Sequence, residues 1–477
     1  MSVLKWINSG HNCKMFKLKD LLFGICTLIL TSSCQRQQSD SVVLSPQVAV
    51  ETTPPLKRYD QSVVAYIDTN IKTQASNNRS LPMAYAGQAN YCESVNGDQN
   101  QFNSTDVILS TQQKYPLASV SKLFLTAWAL NVLGPEFKFT SEWYFKKLND
   151  GRYDVYFHAN YDPVLNIEKM LYMISVLQSK GITQIRQLVI DESTRVFLSV
   201  LNNPHYESTE TPVGMTQSVQ NLKTILNSSN WGQQTAQARQ NLQSYFFQKK
   251  QSIQVAQKFQ LENAIYIEKS KINLSEYSDK IIFPSVSLKK YLKEINVESN
   301  NYISDSLFSV LGGSQKFKKF QTEVLKISES ELSILTGSGL PIDQFGIAAN
   351  NYGTCLSVLK VLKFNHLLAE QLNVNLGSIL LNAGLDKGTF ESNQPLNFQS
   401  NVVLKTGRLM NVPALNVAGI VSLKNKNSLY FAFLGHDFDF SDEEKIKNHR
   451  DSYIQSLLKF YPTTPDYKST TLDQIFF

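Results

Sequence analysis

The chain has 477 residues, of which 42% are hydrophobic and 11% aromatic, so it can bury a large core, and most of it is not expected to be disordered. Its length is typical of about two to four domains. The formal net charge is +6, and +3 of this comes from residues 1–33, which carry four lysines and one aspartate. Acidic and basic residues are mixed over the remainder, so the composition predicts no nucleic-acid partner.

An export signal is predicted at the N-terminus. Lysines precede an apolar run over residues 21–30, which is too short to cross a hydrocarbon core about 30 Å thick. Small residues then lead to Cys34, as in the lipobox of bacterial lipoproteins. We expect residues 1–33 to be removed and Cys34 to be lipidated, so that the protein is exported, periplasmic and anchored to a bacterial membrane. Two alternatives stay open: a start at Met15, and a secretory signal in which Cys34 has no role.

Two further cysteines lie outside the predicted signal. Cys92 and Cys355 are far apart in the sequence, so a disulfide between them is compatible with an oxidising compartment but is not specified by their spacing. The six histidines are scattered, and the sequence contains no C-x-x-C or H-E-x-x-H motif. We therefore expect no catalytic metal.

The first elements after the signal are a tether and a buried helix. Residues 34–57 are rich in Gln, Ser, Val, Thr and Pro, which predicts a flexible tether. A short amphipathic helix is expected at 62–72, and strands up to 107–110. A nearly continuous apolar run follows over 122–133 and stops at Gly134-Pro135, which predicts a helix inside a domain.

The middle of the chain is predicted to be an inserted domain over residues 140–284. Alternating apolar residues at 153–158 and 187–191 indicate strands, and a helical pattern lies between them at 167–179. Residues 214–270 are rich in Gln and contain helical stretches such as 236–258. This Gln-rich helical part carries no recognisable chemistry.

The C-terminal part combines helices with antiparallel strands. Its expected elements are a helix, three strands and a charged helix, at 286–295, 402–405, 414–423, 429–435 and 443–460. The turn at 424–427 makes a hairpin of the last two strands, and residue 405 is expected at the end of an edge strand. Residues 58–139 and 285–465 are predicted to form one domain.

Three short motifs give this domain its chemistry. In chain order they are Ser119-Val120-Ser121-Lys122, Ser299-Asn300-Asn301 and Lys405-Thr406-Gly407. A serine hydroxyl is a weak nucleophile that needs a neighbouring base. The spacing i, i+3 places Ser119 and Lys122 on one helix face, where the lysine amine can reach the serine oxygen. A nearby cation such as Lys405 and desolvation would lower the pKa of Lys122 far enough for it to act as that base.

The remaining motif residues are candidates for handling the substrate. We expect Ser299 to relay the proton to the leaving amine and Asn301 to orient the substrate amide and the lysine. Lys405 and Thr406 would bind a terminal carboxylate, and Gly407 would let the substrate backbone lie along the strand. The backbone N–H groups of Ser119 and of the residue after Gly407 are expected to form the oxyanion hole. Each motif alone is weak evidence, but their order and local context together predict acyl transfer.

The order S-x-x-K, S-x-N, K-T-G resembles that of penicillin-binding proteins and class A β-lactamases. Further stretches resemble the D-alanyl-D-alanine carboxypeptidase/endopeptidase family, the class C low-molecular-mass penicillin-binding proteins. These stretches are Pro116–Lys122, 133–139, 162–165, 181–193, 337–340 and 384–389. The long separation of the first two motifs is also typical of this family, which carries inserted domains there.

The resemblance implies an α+β fold in which helices flank an antiparallel sheet, with an additional all-helical subdomain. It implies a serine-type D-Ala-D-Ala carboxypeptidase or endopeptidase that acts on peptidoglycan stem peptides through an acyl-enzyme and is trapped by β-lactams. No cofactor is implied.

The sequence departs from the family pattern at several positions. Arg408 follows K-T-G where Ser or Thr is usual, and it is expected to crowd or re-charge the carboxylate site. Asn300 stands where Asp is common, and Thr336 replaces the Asp before G-S-G. Residues 204–207 are the nearest candidate for the family's P-G-W…D segment, and the Gln-rich part does not match the family's β-rich insertion.

Two alternatives remain open at this point. A catalytically silent peptidoglycan-binding homologue would use the same groove for recognition only, and Arg408 is compatible with it. A β-lactamase-like hydrolase is the second, although no deacylating glutamate is evident in the sequence. Ser338 does not lie in a G-x-S-x-G elbow, so a serine–histidine–aspartate triad is not predicted.

Overall fold

The computed structural model describes residues 89–95, 99–102, 113–196, 198, 214–251, 253–344 and 347–470. The predicted signal, Cys34, the tether, the helix at 62–72, the strand at 107–110 and the segment 204–207 lie outside these residues. Within the described ranges, no helix is both long and apolar enough to cross a membrane.

Helices and strands alternate irregularly along the chain. The helices are α1 (Lys122–Leu133), α2 (Ile167–Ser179), α3 (Met215–Ile225), α4 (Gln233–Gln248), α5 (Leu288–Val297), α6 (Asn301–Val310), α7 (Gly313–Glu323), α8 (Cys355–Gln371) and α9 (Glu443–Phe460). The strands of the first half are β1 (Ala89–Val95), β2 (Gln99–Phe102), β3 (Lys114–Pro116), β4 (Thr140–Lys147), β5 (Tyr153–His158), β6 (Gln184–Ile190), β7 (Gln260–Tyr266) and β8 (Asp279–Pro284). Those of the second half are β9 (Leu332–Ser333), β10 (Ile342–Gln344), β11 (Ile347–Ala349), β12 (Tyr352–Thr354), β13 (Leu381–Asn382), β14 (Val402–Leu409), β15 (Ala414–Ser422) and β16 (Ser428–His436).

A six-stranded antiparallel sheet, here called the large sheet, carries the last motif. Its strand order is β13-β14-β15-β16-β1-β2. Every residue of β15 and β16 is buried, because one face packs on α8 and the other on α9. Because both faces are covered, the side chains on both faces of these strands are mostly apolar. The sheet supports β14 along its length.

The helix that follows the first motif lies in the core of a helical layer. Residues of α1 from Lys122 to Leu130 are buried, which agrees with the prediction of a helix apolar on most faces. Trp128 packs against Phe308, Phe317 and Phe320 of α6 and α7. The helix ends at Gly134, which has a φ of +77°.

Residues 140–284 contain a second sheet, here called the small sheet, with a hydrophobic core of its own. Its strand order is β7-β6-β5-β4-β8. The pairs β5–β6 and β6–β7 are parallel, whereas β4 pairs antiparallel with β5 and β8. The mainly antiparallel arrangement implied by the family resemblance therefore describes the large sheet, while the small sheet is mixed.

The Gln-rich segment differs in part from its prediction. The helix expected at 236–258 ends at Gln248 in α4, and the chain then forms β7, which extends the small sheet. Leu261 and Ala264 of β7 point into the core and exposed polar residues lie between them. Residues 260–266 form a strand because they pair with the distant β6, and composition alone does not predict this pairing.

A disulfide joins Cys92 of β1 to Cys355, the first residue of α8. The Cα atoms are 6.2 Å apart, although the two residues are separated by 263 positions in the sequence. The pairing that the spacing left open is therefore present, and it fixes the large sheet to the helical layer.

Candidate active site

The first motif forms a tight turn at the start of α1. Residues Ala118–Ser121 form a turn of 3₁₀ helix, which continues into α1 at Lys122. Because Ser119 and Lys122 are three residues apart, the lysine Nζ donates a hydrogen bond of 2.8 Å to the serine Oγ. Ala118 has a φ of +50°, a left-handed conformation that is unusual for a residue with a side chain.

Two other segments supply acceptors to the same lysine. Lys122 Nζ donates to Asn301 Oδ1 at 2.8 Å and to the Ser338 carbonyl at 2.7 Å. Asn301 begins α6, and the side chain of the preceding Asn300 caps that helix by accepting the Ile303 N–H at 2.9 Å. The first and second motifs therefore meet at Lys122, despite their distance in the chain.

The second and third motifs meet at a separate contact. Lys405 Nζ donates to Ser299 Oγ at 2.9 Å. Lys405 is fully buried and Ser299 has a φ of +58°. The expectation that Lys405 ends its strand is wrong, because β14 remains paired with β15 as far as Leu409.

Two buried lysines, each in contact with a different motif serine, determine the electrostatics of the cleft. Burial lowers the pKa of Lys122 to about 7, and the charge of Asp305 acts in the opposite direction. Burial also lowers the pKa of Lys405, and the neighbouring Lys122 charge adds to this effect, whereas Glu298 opposes it. A substantial fraction of Lys122 is therefore neutral near pH 7 and able to accept a proton.

The rest of the third motif makes two contacts, one of them with the turn Ala118–Ser121, here called the nucleophile turn because it carries the predicted nucleophile Ser119. Thr406 Oγ1 lies 2.6 Å from Thr389 Oγ1. A Cβ atom on Gly407 would lie 3.0 Å from the Ser119 backbone N and 2.9 Å from the Leu117 carbonyl oxygen. Glycine is thus the residue that allows β14 to approach Ser119 so closely.

The Arg408 side chain pairs with α9 and does not crowd the predicted carboxylate site, as its place after K-T-G had suggested. Its Nη2 donates to Glu443 Oε2 at 2.7 Å, and its Nε donates to the same oxygen at 3.2 Å. Glu443 is the first residue of α9, which covers the face of the large sheet opposite α1 and α8. This ion pair holds the guanidinium on α9.

Three contributors to the site were not predicted. Asp305 lies four residues after Asn301 on α6, so helical spacing offered a signal for it. Thr389, in the stretch 384–389 that resembles the family, contacts Thr406 from 17 positions earlier in the chain. Ser338 acts through its backbone carbonyl, for which a sequence gives no side-chain signal.

A serine, a histidine and an aspartate also meet in the small sheet. His158 Nδ1 lies 2.5 Å from Asp191 Oδ2 and 3.0 Å from Ser193 Oγ. Both partners thus face the same ring nitrogen, whereas a catalytic triad places them on opposite nitrogens. Ser193 is buried and donates to Asp191 Oδ1 at 2.6 Å, so this cluster stabilises the small sheet and offers no nucleophile.

Solved structures with the same fold come from several bacterial proteins. A predatory endopeptidase from Bdellovibrio bacteriovorus, in complex with an immunity protein, has a TM-score of 0.71 at 24% identity, covering 81% of this chain and 97% of that one. A second predatory endopeptidase of that organism, acylated by penicillin G and also bound to an immunity protein, has a TM-score of 0.66 at 23% identity, covering 80% and 95%. Penicillin-binding protein 4 from Haemophilus influenzae has a TM-score of 0.51 at 17% identity, covering 76% and 95%.

The sequence itself matches the model of one protein family. No curated protein matches the chain. The family model described as D-Ala-D-Ala carboxypeptidase 3 (S13) matches residues 100–223 and 225–457, which include all three motifs, the small sheet and strands β13–β16 of the large sheet. The chain therefore belongs to the D-Ala-D-Ala carboxypeptidase 3 (S13) family.

Proposed function

We propose that Ser119 is the nucleophile of this peptidase and that Lys122 is its general base. The observation that supports this most directly is the 2.8 Å contact between Lys122 Nζ and Ser119 Oγ, made by a lysine whose pKa is lowered to about 7. Neutral Lys122 takes the hydroxyl proton as Ser119 Oγ attacks the carbonyl carbon of the peptide bond. The bond to the leaving amine then breaks, and an ester to Ser119 remains until water hydrolyses it.

Family membership defines the reaction to which these roles belong. The chain is a serine-type D-Ala-D-Ala carboxypeptidase/endopeptidase that acts on peptidoglycan stem peptides. The scissile bond follows a D-Ala residue, so the acyl group on Ser119 is a peptide that ends in that residue. This chemistry needs no cofactor.

Ser299 and Asn301 are proposed to act on the amide that is cleaved. Ser299 Oγ accepts from Lys405, so its own proton is available to the leaving nitrogen. Asn301 accepts from Lys122 through Oδ1, which leaves its amide NH₂ to donate to a substrate carbonyl.

Lys405, Thr406 and Gly407 are proposed to bind the far side of the substrate. The Lys405 amine and the Thr406 hydroxyl would bind the terminal carboxylate, whose negative charge would favour the protonated amine and so make a charge-assisted bond. The close approach of Gly407 to the Ser119 backbone N supports a substrate backbone that lies alongside β14. The backbone N–H groups of Ser119 and Arg408 would stabilise the oxyanion.

Digestion of muropeptides tests this function and distinguishes carboxypeptidase activity from endopeptidase activity. Purified protein is incubated with monomeric pentapeptide and with cross-linked dimer muropeptides, and the products are measured by mass spectrometry. Loss of one D-Ala from the monomer indicates a carboxypeptidase, and conversion of dimer to monomers indicates an endopeptidase. The proposal fails if folded wild-type protein changes neither substrate, or if Ser119→Ala cleaves as fast as the wild type.

The alternatives make different predictions for β-lactams. A silent peptidoglycan-binding homologue would give no covalent label with a fluorescent penicillin. A β-lactamase-like hydrolase would turn over nitrocefin rapidly. We expect stable labelling of Ser119 with slow turnover.

The protein acts outside the cytoplasm, because its family acts on peptidoglycan. The finer location is part of the proposal: the predicted signal over residues 1–33 and the small residues before Cys34 support lipid anchoring in the periplasm. Expression with a radiolabelled fatty acid tests this. Wild-type protein should take up the label and Cys34→Ala should not, whereas equal labelling would exclude Cys34 as the anchor.

A further inference from the structure

The carboxylate of Asp305 lies close to the pair Lys122 and Ser119, and the proposed mechanism gives it no role. Asp305 is four residues after Asn301, so α6 presents both side chains on one face. Asp305 Oδ1 accepts the backbone N–H of Ser338 at 2.8 Å. The carbonyl of the same Ser338 accepts from Lys122 Nζ at 2.7 Å. A continuous hydrogen-bonded path therefore runs from Asp305 through one residue's backbone to Lys122.

The loop that carries Ser338 lies between α6 and the nucleophile turn. A Cβ atom on Gly337 would lie 2.4 Å from the Ser304 carbonyl oxygen of α6. A Cβ atom on Gly339, whose φ is +87°, would lie 2.0 Å from the Ala118 carbonyl oxygen in the nucleophile turn. Glycines on both sides allow this close packing. Side chains hold the backbone on either side of Ser338, since Thr336 Oγ1 accepts the Gly339 N–H at 3.2 Å and Asn351 Oδ1 accepts the Thr336 N–H at 3.2 Å. Asp305 supplies the restraint on the Ser338 N–H itself.

The Ser338 carbonyl also faces the nucleophile. Ser119 Oγ lies 3.3 Å from this oxygen, within hydrogen-bonding reach. The same backbone oxygen thus contacts both members of the proposed nucleophile–base pair. Its displacement would change the direction in which Lys122 points.

We propose that Asp305 is a positioning residue for the general base, because by accepting the Ser338 N–H it fixes the Ser338 carbonyl that aims Lys122 at Ser119. This inference rests on the proposed function, since it assumes that Lys122 takes the Ser119 proton. Asp305 acts through Ser338 and contacts neither the nucleophile nor the substrate.

The charge of Asp305 predicts a specific change in the pH dependence of acylation when that charge is removed. Lys122 is faced by Asp305 from α6 and by Lys405 from β14, and Glu298 faces Lys405 in turn. Asp305 raises the pKa of Lys122 against the larger effect of burial. Removing its charge while keeping its oxygen should therefore shift the ionisation of Lys122 to lower pH.

Two variants separate the hydrogen bond from the charge. The rate constant of acylation by a fluorescent penicillin is measured across pH for the wild type, Asp305→Ala and Asp305→Asn. Asp305→Ala lacks the acceptor and should acylate at least about tenfold more slowly on the plateau, because small misplacements of a catalytic group are costly. Asp305→Asn keeps an acceptor oxygen, so it should regain most of the plateau rate, and its acid limb should lie at lower pH.

Asp451→Asn is the matched control for a purely structural loss. Asp451 is buried on α9 and its Oδ2 accepts the backbone N–H of Asn393 at 2.7 Å, so it too fixes a loop. This variant should lose stability and keep the wild-type acid limb.

The inference is overturned if Asp305→Ala acylates at the wild-type rate, or if Asp305→Asn acylates as slowly as Asp305→Ala with an unshifted acid limb. Should Asp305→Ala fail to fold, Asp305→Glu takes its place, because it keeps the carboxylate but moves the acceptor oxygen away from the Ser338 N–H. A plateau rate below that of the wild type then supports the proposal, and a wild-type plateau rate contradicts it. Failure of the proposed function is distinguishable, because the wild type would then form no adduct at all.

Discussion

Under the proposed mechanism, the ionisation of Lys122 makes the reactivity of Ser119 depend on pH. Its pKa is lowered to about 7 because burial removes water from the ammonium, and only the neutral amine can accept the Ser119 proton. A lysine at its ordinary pKa of 10.5 would be neutral in fewer than about one molecule in a thousand at pH 7. The proposed mechanism therefore needs no histidine as its base.

The acylation rate should therefore rise as the pH increases through about 7 and then level off. The sign follows from the direction of the shift, since a lowered lysine pKa moves the neutral form to lower pH. Stopped-flow measurement of fluorescent-penicillin acylation across pH checks this. An acid limb close to 10.5, the ordinary lysine pKa, would show that Lys122 is not the base in the form described.

The motif side chains that meet in the cleft are those that the sequence names, because side-chain chemistry can be seen in a sequence. Lys122 contacts Ser119 and Asn301, and Lys405 contacts Ser299. Their catalytic roles stay predictions. The backbone features were not predictable: the left-handed Ala118 and the Ser338 carbonyl depend on packing between distant segments.

At the scale of elements, the site depends on how closely two segments, residues 337–339 and β14, approach the nucleophile turn. Gly339 packs on the Ala118 carbonyl from one side, and Gly407 packs on the Ser119 backbone N from the other. Neither contact leaves room for a side chain. The turn is therefore held in place by two elements that come from later parts of the chain.

Gly339→Ala should destabilise the fold and slow acylation. Its left-handed backbone costs about 1–2 kcal/mol for any other residue, and a Cβ atom 2.0 Å from the Ala118 carbonyl adds overpacking of about 1–3 kcal/mol. Gly151→Ala is the matched control, since Gly151 has a similar φ of +86° and a Cβ atom there would meet nothing within 4 Å. Denaturant unfolding and acylation rates of both variants test this. Equal losses of stability in the two variants would show that the packing contact is unimportant.

The elements that sequence reasoning located best are those with a strong local pattern. Helix α2 begins and ends as its apolar period predicts, and α9 follows its charged amphipathic pattern in the same way. The end of α4 and the strand β7 were missed, because β7 is stabilised by pairing with β6, more than 60 positions earlier in the chain. The extension of β14 to Leu409 was missed for the same reason, since its partner β15 decides where the strand stops.

At the scale of the whole molecule, one covalent link supports the arrangement. The disulfide between Cys92 and Cys355 connects the large sheet to α8, and α8 packs directly on α1, which carries Lys122. A link that closes so long a segment of chain restricts the unfolded state strongly. Such a bond is also compatible with a protein that acts outside the cytoplasm.

Reduction should therefore lower the stability of the wild type by about 2–5 kcal/mol. Thermal unfolding with and without dithiothreitol measures this. The double variant Cys92→Ala/Cys355→Ala is the control, and it should unfold at the temperature of the reduced wild type and show no response to reductant. A wild-type melting temperature that is unchanged after complete reduction would contradict the prediction.

The most direct test of the whole account is the identification of the residue that benzylpenicillin acylates. Intact-mass spectrometry of the wild type after incubation should show one added penicilloyl group, and peptide mapping should place it on Ser119. Ser119→Ala should remain unmodified under the same conditions. Folded wild-type protein without an adduct, or an adduct on any other residue, would contradict the central claim that this serine is the nucleophile.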